Sequence, residues 1–159
     1  MTALELWEFL SYVVTVVGLP LAIFTYWQEQ RKERENEDEE TYQLLSDAYT
    51  DFLKLVMENP DLQLRSQVAT PQLTDEQRER RQVVFEILVS LFERAYLLVY
   101  DTHLTESQRR RWHSWEDYMR EWCRRADFSA MLPQLLEGED ADFSAYISKV
   151  AEEQKRRVD

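Results

Sequence analysis

The chain has 159 residues, the size of one ordinary domain with an appendage. Its 31 acidic and 19 basic side chains leave a net charge of -12, which argues against a general nucleic-acid binder, since such proteins need a basic field. Two glycines and four prolines are too few for a sheet built on tight turns, and one cysteine excludes an internal disulfide or a multi-cysteine zinc site, so an all-α fold of long helices is expected.

The first 27 residues differ from the rest. From Phe9 to Trp27 no side chain carries a charge. As a helix that run spans about 28 Å, close to the ~30 Å hydrocarbon core of a bilayer. Trp7 and Tyr12 near one end, with Tyr26 and Trp27 at the other, form the aromatic belts of a spanning helix. A cleaved signal peptide would carry a basic start and a small-residue cleavage site. Here the start holds Glu5 and Glu8, and the apolar run ends in Tyr-Trp-Gln. Residues 1–27 are therefore read as a transmembrane segment, with the span at about 9–27. Arg31, Lys32 and Arg34 follow directly, and no basic side chain precedes the run. The positive-inside rule then places the N-terminus outside and the C-terminal domain in the cytoplasm, as a single-pass protein. The lone Cys123 fits a reducing compartment.

Ser11, Thr15, Gly18, Ala22 and Thr25 recur at spacings of 4, 3, 4 and 3, which puts them on one stripe of the span. Small residues allow close helix approach in lipid, and hydroxyls can bond across the contact, so a homo-oligomer is expected, with a narrow pore if several helices converge. The hydroxyls have an alternative use in bonding back to their own helix. Val13, Val17, Leu21 and Phe24 suit the lipid-facing side. Pro20 is expected to kink the helix.

Residues 28–40 carry three basic and seven acidic side chains with no Gly or Pro, and are read as a solvated helical stalk, the alternative being a disordered linker. Residues 41–159 are read as a cytoplasmic helical domain, a bundle of four or five helices. Its first helix, from about Thr41 to Glu58, carries Tyr42, Leu45, Tyr49, Phe52 and Val56 on one face, and Asn59-Pro60 stops it. A loop runs from Asp61 to Leu73. Thr74 to Gln77 is a capping-box start, followed by a helix whose apolar residues, Val84 through Val99, cover most of its circumference and make it the expected buried centre. Thr105 to Gln108 is a second capping box, leading a helix with Trp112, Trp115, Met119 and Trp122 on one stripe. The pentapeptide ADFSA occurs at 126–130 and 141–145, read as two helix starts with Asp127 and Asp142 as N-caps.

Signals of chemistry are sparse. Two histidines with no HExxH, and two glycines with no phosphate-binding loop, leave no catalytic, metal or cofactor site to assign. Cys123 has Arg120, Arg124 and Arg125 near it, yet reads as core filler beside the tryptophan stripe. The richest local pattern is Arg109, Arg110, Arg111, Arg120, Arg124 and Arg125 with Trp112 and Trp115, a candidate surface for a partner or an anion. Helical ribonucleases of the HEPN type leave four to six residues between an Arg and the His that follows it. Three residues separate Arg109 from His113 and one separates Arg111 from it, so that pattern is missed.

The opening WEFLSYVVTVVGLPLAIFTYWQEQRKE, with FLKLVMENPDL, LFERAYLLVYD and WHSWEDYMREWCRR after it, resembles an uncharacterised bacterial family of membrane-anchored helical proteins. The resemblance brings no reaction with it. The layout is also similar to the small membrane accessory protein of type VI-B CRISPR systems, which implies an N-terminal span, a helical cytoplasmic domain and an oligomeric pore. No catalytic residue is carried over, since the Arg/His motif is not matched. The leading expectation is a non-enzymatic, self-associating membrane protein, pore-forming or membrane-perturbing, acting as effector or accessory in antiphage defence. The alternatives are a membrane-tethered adaptor whose Trp/Arg helix binds a cytoplasmic protein, and a degenerate HEPN-like ribonuclease.

Overall fold

The computed structural model describes residues 19–158. All regular structure among them is helical, in five α-helices and one 3-10 turn, with no strand. The chain divides into two compact units, Met1–Thr41 and Tyr42–Asp159. Helix α1 (Leu19–Glu58) supplies the described part of the first unit and the opening helix of the second.

In the first unit, residues 28–40 are helical without a break, as their helix-forming composition predicts. Ahead of them, Leu21, Phe24 and Trp27 are 62%, 66% and 73% exposed, so none of the described residues packs over this apolar turn of α1. No helix among the described residues is long and apolar enough to cross a membrane. The expected span begins at Phe9, and only its last turns, from Leu19, fall among the described residues. Ser11, Thr15 and Gly18 lie outside them, as does the turn preceding Pro20 in which a kink would form.

The second unit is a bundle in which α1 from Tyr42 packs with α2 (Asp75–Val99), α3 (Glu106–Cys123), α4 (Ala126–Leu135) and α5 (Ala141–Val158). Both expected capping boxes form. Thr74 accepts from the Gln77 amide at 3.1 Å and Gln77 accepts from the Thr74 amide at 2.9 Å. Thr105 and Gln108 do the same at the start of α3. The ADFSA repeats both begin helices, with Ala126 and Ala141 as the first helical residues. The expected caps are corrected, however. Asp127 is inside α4, where Arg125 and Arg81 hold its carboxylate, and the cap position is Arg125. At α5 the carboxylate of Asp140, not Asp142, accepts from the amides of Asp142 and Phe143, at 3.0 and 2.9 Å.

The core is aromatic. Tyr49, Phe52, Phe85, Trp115, Trp122 and Phe128 meet edge-to-face or stacked around the α1–α2–α3 junction. A second group, Tyr96, Tyr100, Trp112, Phe143 and Tyr146, joins α2, α3 and α5. Burying an indole demands a partner for its N–H. Trp122 donates to the Tyr49 hydroxyl at 3.2 Å, and Trp112 to the Tyr146 hydroxyl at 3.1 Å.

The expectation that α2 would be the buried centre, with only a thin polar edge at Glu86, Ser90, Glu93 and Arg94, is also corrected. Phe85, Leu88, Val89 and Phe92 are fully buried, but Val83, Ile87, Leu97 and Leu98 are 48%, 43%, 57% and 57% exposed. The other helices cover one side of α2 only, and its second apolar strip faces outward.

Candidate functional site

The arginine- and tryptophan-bearing helix α3 is amphipathic, and its periodicity decides what each candidate can do. Trp112, Trp115, Met119 and Trp122 repeat every three or four residues and all point into the core. Trp112 is 4% and Trp115 1% exposed. Neither is available to a partner, which removes both from the candidate surface. Aromatic area is worth more in the interior, and their N–H groups or ring edges are already matched there.

The arginines separate into five environments. Arg109 and Arg110 are exposed, and neither makes an ion pair among the described residues. Arg111 is half-buried, with its guanidinium 5.4 Å from the Tyr42 ring centroid in a cation–π contact. Arg120 joins α3 to α5, bonding Glu116 and Glu153 at 2.9 Å each. Arg124 donates to the buried Gln154 side chain of α5 at 3.1 Å. Arg125 is not on the surface at all. It is 2% exposed.

Arg125 is the organising cation of the loop between α1 and α2. Its guanidinium donates to the carbonyls of Gln63 and Ser66 at 2.8 and 2.7 Å and to the Thr70 hydroxyl at 3.1 Å. It also bonds Asp127 at 2.6 and 3.0 Å, and Asp127 in turn receives Arg81 of α2 at 2.9 Å. Nearby the amide of Ala126 donates to the Gln67 carbonyl at 3.2 Å. A long loop has carbonyls that no secondary structure satisfies, and five planar donors on one side chain serve several of them at once. The arginine-rich spacing of α3 hid this role. The available signals were the position of Arg125 between two helices and an aspartate two residues later.

Other candidates have ordinary settings. Cys123 is buried, and burial pushes its thiol up to about 12, far from a reactive thiolate. His113 is exposed beside Glu116, with 3.3 Å between Nδ1 and Oε2. Among the described residues no three His, Cys, Asp or Glu converge as metal ligands. One acid pair is perturbed. Glu139, in the turn before α5, is hydrogen-bonded to Glu93 of α2, and that bond with partial burial pushes its carboxyl up to about 7. Glu93 also accepts from the Asp140 amide at 2.6 Å, so the pair holds the α5 start against α2.

Of the span stripe, Ala22 and Thr25 are described. Thr25 donates its hydroxyl to the Ala22 carbonyl at 3.0 Å, the self-bonded use of a helical threonine. That bond leaves the oxygen able to accept from a neighbouring helix.

Comparison with protein-family models, curated proteins and solved structures finds no match.

Proposed function

We propose that the chain is a single-pass membrane protein of the bacterial inner membrane that self-associates and carries a helical cytoplasmic domain. The observation that carries this reading is the exposed apolar turn at Leu21, Phe24 and Trp27, which continues the uncharged run from Phe9 and ends at a charged helical segment. Large apolar side chains on a helix with no protein partner are stable in lipid and costly in water. The flanking Arg31, Lys32 and Arg34 set the domain from residue 41 on the cytoplasmic side. Ser11, Thr15, Gly18, Ala22 and Thr25 supply the contact between copies, and Pro20 a bend in the span.

The work done is mechanical rather than chemical in this reading. Converging spans form a narrow pore or disturb the bilayer, and the cytoplasmic domain controls assembly. The likeness in layout to the type VI-B CRISPR accessory protein makes antiphage defence the setting, as effector or accessory. The decisive experiment is a subunit count of the full chain in detergent by light scattering, with dye release from vesicles of bacterial lipid. The wild type is expected to form an oligomer and release dye. Gly18→Leu with Ala22→Leu is expected to lower the subunit number and abolish release. An unchanged oligomer removes the span from the assembly.

The second reading, a membrane-tethered adaptor, draws support from Arg109 and Arg110, which are exposed and unpaired among the described residues. It predicts that a foreign span in place of 9–27 preserves function, and that reversing these two charges destroys it.

A further inference from the structure

The outward strip of α2 matches a rotated copy of itself. Val83, Glu86, Ile87, Ser90, Arg94 and Leu97 lie within about 100° of one another around the helix axis, opposite the side that carries Phe85, Leu88 and Phe92 inward. A solvated helix face is ordinarily charged along its length. Here apolar side chains 43–57% exposed alternate with one acid, one base and one small residue.

Two pairs of positions are matched about Ser90, while Ile87, three before it, has Glu93 as its counterpart. Seven residues before Ser90 stands Val83, and seven after it Leu97; four before stands Glu86, and four after it Arg94. Arg94 makes no hydrogen bond or ion pair among the described residues, and Glu86 accepts from Gln82 at 2.9 Å on the same helix. Glu86, Ile87, Ser90 and Arg94 of the strip form the α2 wall of an open groove of about 580 Å³, whose α1 wall holds Ala48, Leu55 and Asp51, the last paired with Lys54 at 2.7 Å.

We propose that this face is an interface between two copies of the chain, crossing antiparallel on a two-fold axis through Ser90. In that arrangement Glu86 of each copy meets Arg94 of the other, so a single type of ion pair forms twice. Val83 of each copy meets Leu97 of the other, and the small Ser90 lets the helices approach at the centre. Two-fold symmetry needs a surface complementary to itself, and an acid and a base placed equally far from Ser90, with apolar residues beyond both, provide one. The strip from Val83 to Leu97 is about 21 Å long, the scale of a small and reversible contact. The contact lies wholly within the second unit and does not depend on the span.

The test is disulfide trapping of the full chain in mild detergent. Ser90→Cys is expected to yield a cross-linked dimer on mild oxidation, while Ser107→Cys, exposed on α3, reports random collision. The buried Cys123 contributes little background. On the Ser90→Cys background, Glu86→Arg alone and Arg94→Glu alone are each expected to lower the yield about tenfold or more, since both copies of the pair become repulsive. The two reversals together restore it. Equal yields from Ser90→Cys and Ser107→Cys overturn the proposal, as does a double reversal no better than the single ones. Repeating the trapping with Gly18→Leu and Ala22→Leu separates the two assemblies. A persisting cross-link shows that the α2 contact forms without the span stripe, and its loss refutes a self-sufficient interface.

Discussion

At the residue scale, the guanidinium of Arg125 and the carboxylate of Asp127 carry the most consequential polar contact. Asp127 neutralises one cation that is 2% exposed and a second, Arg81, whose side chain is 16% exposed. Removing one partner of such a group leaves an uncompensated buried charge. Asp127→Ala is expected to cost about 3–5 kcal/mol, read as a lower urea midpoint in the full chain. The Glu93–Glu139 pair makes a different prediction. Glu139 binds its proton more tightly in the folded chain than at its ordinary value of 4.5, up to about 7. Its contribution is therefore complete at low pH and is lost as pH rises through that window. The urea midpoint of the wild type should fall between about pH 5 and pH 8, and Glu139→Gln should flatten that fall. A slope unchanged by the substitution would assign it to other groups.

At the element scale, most of the fold was legible, because helices announce themselves by period and by their ends. Thr74 and Thr105 marked two starts through capping boxes that form as read. Thr105→Ala should cost about 1 kcal/mol, seen in thermal melts, with α3 otherwise intact. The tryptophan stripe of α3 was legible as one face by the same period, but its burial takes Trp112 and Trp115 out of the surface they were also read into. What could not be read was which of two apolar faces on α2 would be covered. Leu88 and Ile87 are equally apolar neighbours, and only the placement of α3, α4 and α5 buries the first and exposes the second. The caps of α4 and α5 were misplaced because an aspartate near a helix start has several uses. Asp127 answers the distant Arg81 of α2 as well as Arg125, and the cap position falls to Arg125. The arginine surface failed as a unit for a related reason. Six like charges within twenty-one residues look alike in sequence, but four of them, Arg111, Arg120, Arg124 and Arg125, find neighbours on other elements: Tyr42 on α1, Glu153 and Gln154 on α5, and the carbonyls of the loop after α1.

At the scale of the whole molecule, the net charge of -12 and mean hydropathy of -0.58 describe no single part of it. The first 27 residues hold -2, the charged segment to residue 40 holds -4, and the remainder holds -6. The apolar content sums an exposed run at the start of α1 with an aromatic core assembled far along the chain. In the proposed arrangement the lateral stripe of the span and the outward face of α2 are separate contacts, one in lipid and one in water. Two weak contacts on one chain give an assembly more avid than either alone. The subunit count should then fall partway with Gly18→Leu and Ala22→Leu, and further when Glu86→Arg is added.

The Arg125 clamp also governs what a protease can reach. Arg65 is exposed in the loop between α1 and α2, and by composition it is an open target for trypsin. Cleavage requires several residues to extend into the enzyme, and the carbonyls of Gln63 and Ser66, which flank the Arg65–Ser66 bond, are held by the same guanidinium. The loop can be cut only after the clamp opens, so the rate of cleavage there measures that opening. Brief digestion of the folded wild type should spare this bond, and Asp127→Ala should make it an early site. A loop that the sequence presents as the weakest stretch of backbone is thereby made resistant by one cation contributed from the far side of the chain.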